Sequence, residues 1–300
     1  MSLVNQQSNK WGKLYVVATP LGNLEDITHR AKTVLNEVDW IACEDTRHSI
    51  KLFNAIGTQN KLIALHAHNE NETGVLEKLI DKLKLGESGA IISDAGTPLI
   101  SDPGLPLVRM AHVEKIQVVP VPGASALIAA LSAMGISCDK FTFMGFLPVK
   151  EVQRQKLLQS VVKKTETSIF YEAPHRVEEV ISEMVNIFGS DRIAGIAREM
   201  TKVYEQIVVK TLGELQSDIE CKDIPLQGEF VLVVSGNKAK PYEALEEQQA
   251  LSIDLDQLLA ALISETSLKK AVSIAKTITG LNKNLLYDRA VKLEKNKESD

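Results

Sequence analysis

Clusters of charged or backbone-rich residues recur along this chain, each directly after a short apolar run: Thr19–Asn23, Glu44–His48, His66–Glu70, Asp94–Asp102, Pro122–Ala126, Tyr171–Arg176 and Arg198–Lys202. Their residue types divide the chemistry. Glu44, Asp45, His66, His175 and Glu199 are of the kinds that take up or deliver a proton. Arg47, Arg176, Arg198 and Lys202 are of the kinds that hold oxyanions, with bidentate geometry favouring the arginines. Each cluster alone has a plain structural explanation: Glu44 or Asp45 can cap a helix, Arg47 can pair with either, and Arg198 with Glu199 can form a surface pair. Seven of them at equivalent strand ends point instead to one crevice at the carboxyl edge of a sheet, where α/β proteins place their ligands.

The most distinctive stretch is Ile91-Ile92-Ser93-Asp94-Ala95-Gly96-Thr97-Pro98-Leu99-Ile100-Ser101-Asp102-Pro103-Gly104. Gly96 and Gly104 permit positive φ or close approach, while Pro98 and Pro103 remove donors and stiffen the turn, so the loop presents carbonyls and amides in a fixed array. Composition alone fits an ordinary βα turn equally well. The chain has no Walker loop, no GxGxxG after its first strand and no GxSxG elbow, which removes the usual phosphate cradles and the hydrolase nucleophile. His66 and His68 have no HExxH or third partner at metal-ligand spacing, so no metal site is expected.

The elements that must position these loops alternate strand and helix. Leu14–Ala18, Trp40–Cys43, Leu62–Leu65, Gly89–Ser93 and Gln117–Val121 read as buried strands, and Ile27, Ala31, Val34, Leu35 and Val38 mark a helix with Asp26 or Thr28 as N-cap. The pattern restarts after Gly135–Asp139, with strands at Phe141–Phe146, Ser168–Tyr171, Ile193–Ala197, Glu205–Lys210 and Gly228–Val234. The fold class is therefore α/β: two α/β domains, 13–122 and 123–237, after a disordered leader, 1–12. From 238 to 300 the composition shifts to leucine, alanine and lysine with helices near Leu255–Leu262, Leu268–Ile278 and Leu285–Leu293. The turn at Gly280-Leu281-Asn282 suits either a helix-turn-helix or an ordinary bundle.

A net charge of -5 by itself discourages nucleic-acid binding. Its distribution reverses that. Between Ser267 and Lys297 stand eight basic residues, Lys269, Lys270, Lys276, Lys283, Arg289, Lys292, Lys295 and Lys297, against Asp288 and Glu294, a local balance of +6. A solvated helix face explains any one of these lysines. The three cysteines, Cys43, Cys138 and Cys221, are far apart and fit a reducing compartment, and no run of eighteen apolar residues occurs, so a cytoplasmic protein without membrane attachment is expected.

Several ordered signatures carry a family resemblance. Thr19-Pro20-Leu21-Gly22-Asn23-Leu24-Glu25-Asp26-Ile27, Glu44-Asp45-Thr46-Arg47, Ser93–Pro98 with Ser101–Gly104, and Val121-Pro122-Gly123 resemble the tetrapyrrole-methylase-like superfamily of S-adenosylmethionine enzymes. Within it, Tyr171–Arg176 and Arg198–Lys202 are similar to the branch that 2′-O-methylates a cytidine in the decoding region of 16S rRNA. The resemblance runs in order from Leu14 to Gly236, and the C-terminal helices resemble that branch's appended module. Tetrapyrrole-modifying relatives typically have an aspartate where this chain has Thr97 and a glycine-richer first loop; both departures match the rRNA branch.

The resemblance implies a homodimer whose two α/β domains hold S-adenosyl-L-methionine in the cleft between them, acting on 16S rRNA or the small ribosomal subunit. Carried over position by position, cofactor contacts fall on Pro20, Asp94, Ala95, Gly96, Thr97, Ile100, Ser125, Ala126, Glu172 and Met200. Asp45, Glu199 and His66 are then the candidates to deprotonate the ribose hydroxyl. Arg47, Arg176, Arg198, Lys202, Lys269, Lys270 and Lys276 are the candidates to hold RNA. A small-molecule methylase acting on a precorrin or uroporphyrinogen is the competing reading and leaves the basic helical module unexplained. A binding protein of the same fold without turnover is the third.

Overall fold

The computed structural model describes residues 11–66, 70, 73–237, 255–279 and 283–297. The first ten residues of the expected leader, His68 and the turn at Gly280–Asn282 lie outside the described residues. Trp11 and Gly12, assigned to that leader, are already attached: Trp11 packs on the first core and the Gly12 amide donates to the Leu83 carbonyl at 2.8 Å. The chain separates after Asn237 into two compact units.

The first unit contains two sheets. Strands β1 (Leu14–Val17), β2 (Trp40–Cys43), β3 (Leu62–Ala64), β4 (Gly89–Ile91) and β5 (Val118–Val121) form an all-parallel sheet in the order β3-β2-β4-β1-β5. Parallel pairing needs a crossover between strands, and α1 (His29–Glu37), α2 (Thr46–Ile56), α3 (Thr73–Lys84) and α4 (Leu105–Val113) supply them. Helices on both faces make the strands uniformly apolar: β2 is buried at all four positions. Thr28 caps α1, its hydroxyl accepting from the Ala31 amide at 3.0 Å.

After α5 (Ala126–Met134) the second sheet runs β6-β7-β10-β8-β9, formed by β6 (Phe141–Phe146), β7 (Thr167–Glu172), β8 (Ile193–Arg198), β9 (Gln206–Thr211) and β10 (Phe230–Val234). β6 pairs parallel to β7, and every other pairing is antiparallel. Three helices went unread in the sequence: α2, α4 and the one at Leu212–Glu220. The last carries a legible signature, Thr211-x-x-Glu214. The Thr211 hydroxyl accepts from the Glu214 amide at 3.3 Å, and the Glu214 carboxylate accepts from the Thr211 amide at 2.9 Å.

The second sheet packs on α6 (Glu151–Val161), α7 (Val177–Phe188) and α8 (Leu212–Glu220), with Phe170, Val180, Met184, Leu212 and Leu232 at its centre. Between α6 and α7 lies Arg154, whose side chain is only 2% exposed. Its Nε and Nη2 donate to Glu183 at 2.7 and 2.6 Å, and Nη2 also reaches Glu179.

The second unit, taken by itself, consists of α9 (Leu255–Glu265), α10 (Leu268–Thr279) and α11 (Lys283–Lys297) around Leu259, Val272, Ala275, Leu286 and Ala290. Among the described residues no helix is long and apolar enough to cross a membrane.

Candidate active site

A cavity of about 310 Å³ opens in the first unit, lined from both sheets by the loops at their strand ends. That volume is within the range of small-molecule sites. Leu21 follows β1; Asp94 to Thr97 and Ile100 to Asp102 follow β4; Ser125 and Ala126 follow β5. Phe146 and Tyr171 to Pro174 enter from β6 and β7, Met200 from the end of β8, and Gly228 to Val231 from the start of β10.

The loop after β4 is held open by backbone geometry. Gly96 has φ +80° and exchanges two hydrogen bonds with Thr19, amide to carbonyl at 2.8 and 3.1 Å, tying it to the end of β1. The Thr19 hydroxyl donates to the Ser93 carbonyl at 3.1 Å, and the Thr97 hydroxyl to the Ala124 carbonyl at 2.9 Å. An aspartate at position 97 would set a carboxylate against that carbonyl, so threonine suits this arrangement as a donor. Leu99 and Ser101, neither a glycine, take φ +73° and +70°. Such backbone strain gathers where a loop is shaped for function.

Nine of the ten residues proposed for cofactor contact line this cavity: Asp94, Ala95, Gly96, Thr97, Ile100, Ser125, Ala126, Glu172 and Met200. Pro20 does not, and its neighbour Leu21 stands in its place. Five of the seven clusters contribute; the loops at Glu44–His48 and His66–Glu70 supply no lining residue. The former buttresses the site from behind, its Asp45 amide donating to Asp94 Oδ1 at 3.3 Å.

The charge of the lining is one-sided. Asp94, Asp102, Glu172 and Glu229 contribute carboxylates, and the lining includes no lysine, arginine or histidine. Glu172 is fully buried in its side chain and its Oε2 has no hydrogen-bond partner, while burial pushes its carboxyl above the ordinary range. An acidic cavity with apolar walls, Leu21, Ile100, Met200, Phe230 and Val231, suits a ligand that carries positive charge on an otherwise weakly polar body.

Several residues singled out by type are otherwise engaged. Arg198, 7% exposed, donates to the carbonyls of Gln227 at 2.7 Å and Tyr204 at 3.1 Å, so it braces the loop between β8 and β9 and is withdrawn from RNA. Arg176 is likewise committed, donating to the Leu147 and Pro148 carbonyls, each at 3.0 Å, beside Glu172. Lys202 pairs with Glu199 at 2.8 Å and Glu229 at 3.2 Å.

Glu199 is a structural acceptor. It takes hydrogen bonds from Lys202 and from the Glu229 amide at 3.1 Å, and it lies where a Cβ on Gly228 would come within 2.3 Å of its Oε1. Burial pushes its carboxyl up, but the Lys202 and Glu229 hydrogen bonds outweigh this and hold it below the ordinary range. Asp45 caps α2, accepting from the Arg47 amide at 2.8 Å, and also grips the Arg47 side chain. Those bonds lower its carboxyl to about 2, which makes it a weak base. His66 is half-buried and outside the lining.

The structure brings forward residues the type-based reading passed over: Asp102, Tyr171 and Phe146. The Tyr171 hydroxyl accepts from the Leu127 amide at 3.2 Å and so caps α5, and its ring meets Phe143 and Phe146 edge-on at centroid distances of 4.7 and 5.6 Å. A register shift in β6 between Phe143 and Phe146, with Gly145 at φ +68°, leaves Phe146 55% exposed at the cavity's lining. β-bulges commonly re-aim a side chain in this way beside a site. Asp102 closed one of the charged clusters, Asp94–Asp102, and belonged to the signature Ser101–Gly104, but its residue type was given no role there.

Comparisons with known proteins agree with this geometry. Residues 13–216 match the family model of Tetrapyrrole (Corrin/Porphyrin) Methylases, and residues 249–294 match the RsmI C-terminal HTH domain. The chain is 48% identical over 280 residues to a ribosomal RNA small subunit methyltransferase I of Pseudomonas aeruginosa, covering 93% of this chain and 97% of that one. It is 44% identical to the protein of that name from Escherichia coli O157:H7, covering 94% and 96%. Among solved structures, diphthine synthase is similar at TM-score 0.55 and 15% identity, covering 79% of this chain and 95% of that one. A cobalamin-biosynthetic cobalt precorrin-4 methyltransferase is similar at TM-score 0.53 and 17% identity, covering 78% and 98%. At such identities the solved structures speak for the fold.

Proposed function

This chain belongs to the tetrapyrrole (corrin/porphyrin) methylase family, in its ribosomal RNA small subunit methyltransferase I branch, and from that premise we propose that it uses S-adenosyl-L-methionine to methylate the ribose 2′-hydroxyl of a cytidine in the decoding region of 16S rRNA. The observation that carries the cofactor half of this reading is the acidic character of the cavity, whose lining includes Asp94, Asp102, Glu172 and Glu229 and no basic residue. S-adenosylmethionine supplies a methyl group already activated on a sulfonium. Backbone at Ala95, Gly96, Thr97 and Ile100, with Ser125, Ala126, Met200 and Leu21, forms the walls that would hold it, and Asp94 is the carboxylate among them that would meet its positive charge.

The RNA half rests on the branch and on the second unit. Lys269, Lys270 and Lys276 are exposed on α10, while Arg289 is engaged with Asp256 at 2.6 Å. With Arg176 and Arg198 consumed by the fold, we assign backbone contacts to these lysines and to Arg47, whose side chain is 88% exposed beside Asp45. The working form is a homodimer in the cytoplasm acting on the small ribosomal subunit or its RNA.

Transfer of a labelled methyl group to small-subunit particles and to naked 16S rRNA, with the modified nucleotide mapped, tests this reading. Label on one cytidine ribose is the expected result; label on a tetrapyrrole precursor and none on RNA would replace it. Changing Lys269, Lys270 and Lys276 together to alanine is expected to flatten the log–log salt dependence of RNA binding by about 2, at roughly 0.7 per phosphate contact. Cofactor affinity should stay as it was. An unaltered salt slope in a filter-binding titration would remove these lysines from the RNA surface.

A further inference from the structure

We infer that Asp102 is the general base of the reaction, standing at the side of the cavity where Phe146 opens to solvent and taking the proton from the acceptor hydroxyl. This deepens the proposed function and rests on it. Four acidic residues line the cavity, and two of them are set aside by their surroundings: the Glu172 side chain has no exposed surface and lies 3.3 Å from Arg176, and Glu229 pairs with Lys202. Glu172 also accepts the Ala173 amide at 2.8 Å, and Asp94 accepts the Asp45 amide. Asp102 has no ion pair with a lysine or arginine among the described residues.

Its placement is set by the strained loop. Ser101 at φ +70° precedes it, and the Ser101 hydroxyl lies 3.6 Å from the position a Cβ would occupy on Gly145, the residue before Phe146. The loop that carries Asp102 therefore passes beside the bulged end of β6, where Phe146 and Tyr171 meet edge to face and offer a surface on which an unstacked base can lie. The groups facing Asp102 come from three strand ends: the Ser93 hydroxyl and Asp94 after β4, Glu44 after β2, and Tyr171 on β7. Burial first, then Glu44 and Asp94, push its carboxyl up to about 6, with the Ser93 hydrogen bond opposing. That is the range in which a base is both ionised at neutral pH and able to accept a proton.

In the step itself, the ribose 2′-oxygen bonds to the methyl carbon as the methyl–sulfur bond breaks. The electron pair of that bond stays on sulfur, and the hydroxyl proton passes to an Asp102 carboxylate oxygen. Atoms and charge balance with no further reactant: the sulfonium becomes a neutral thioether and the carboxylate a carboxylic acid.

Single-turnover methyl transfer to small-subunit particles between pH 5 and 9 tests the inference, with S-adenosylmethionine affinity measured alongside by calorimetry. The unaltered protein should gain rate as pH rises through about 6 and then level off. Asp102→Asn should lower the plateau by roughly 100-fold or more, the usual contribution of a general base, with affinity within about threefold and the acidic limb gone. Asp102→Glu should restore part of the rate and the limb.

A second readout needs no turnover. The unfolded chain titrates this group near ~3.9, so the folded protein binds the proton more tightly. Asp102 therefore contributes stability that is complete below that value and lost as pH rises through about 6. Urea unfolding of Asp102→Asn should lack this loss.

If Asp102→Asn keeps the plateau rate, or if its rate returns at saturating cofactor with affinity weakened in proportion, Asp102 is at most a binding residue and the inference falls. If the unaltered protein transfers no methyl to any rRNA, the proposed function falls first and takes the inference with it.

Discussion

Gly96→Val is expected to weaken S-adenosylmethionine binding by about 100-fold, close to 3 kcal/mol, while leaving the chain folded. Gly96 has φ +80°, a conformation that costs a residue with a side chain roughly 1–2 kcal/mol. A Cβ there would approach Leu21 Cδ2 at 3.1 Å and the Ala124 carbonyl at 3.7 Å, and valine adds two methyls beyond it. Leu21 is itself a cavity wall, so the crowding is felt where the ligand would lie. The two hydrogen bonds to Thr19 keep the backbone from relaxing away. Calorimetric titration of the folded variant checks this, circular dichroism confirming the fold. Affinity within threefold of the unaltered protein would mean that the loop after β4 does not contact the cofactor.

Arg154→Met is expected to destabilise the protein by about 3–5 kcal/mol, because it strands a nearly buried carboxylate. Glu183 is 11% exposed in its side chain and receives two hydrogen bonds from Arg154, whereas Glu179 is largely in water and loses little. The second replacement decides the cause. Arg154→Met with Glu183→Leu removes the uncompensated charge along with its partner, and most of the loss should be recovered, since an apolar pair of similar volume often matches a buried ion pair. Urea unfolding midpoints at constant slope measure both. If the double variant is as unstable as the single one, the loss belongs to the packing of the arginine stem between α6 and α7.

Much of this fold was legible because strands and their exit loops advertise themselves locally. β6 runs over Phe141–Phe146 as the alternation of apolar and turn residues predicts, and α5 ends at Met134 before the positive-φ Gly135. α2 escaped because its first turn, Thr46-Arg47-His48, is polar and reads as loop until Asp45 is seen capping it. α4 escaped because its second residue is Pro106, which punctuates a sequence as readily as it opens a helix. The residues that the family pattern assigns to the cofactor were legible in the sequence, and all but Pro20 line the cavity.

The charged residues show where a sequence stops informing. Type and spacing determine that Arg198, Glu199, Asp45 and Asp102 stand at or beyond strand ends, and the order of signatures determines the family. They do not determine which of these groups keeps a free charge, because the partner that consumes each one arrives from elsewhere in the chain. Gln227 claims Arg198, Glu229 joins Lys202 on Glu199, and the carbonyls before α6 claim Arg176. Asp102 shows the converse: burial in a cavity that two sheets enclose, and then Glu44 from the end of another strand with Asp94, raise its carboxyl to about 6. Proton affinity depends on desolvation and on charges a few ångströms away. Both are set by tertiary neighbours, so the chemistry of this site became readable only once the two sheets were folded against one another.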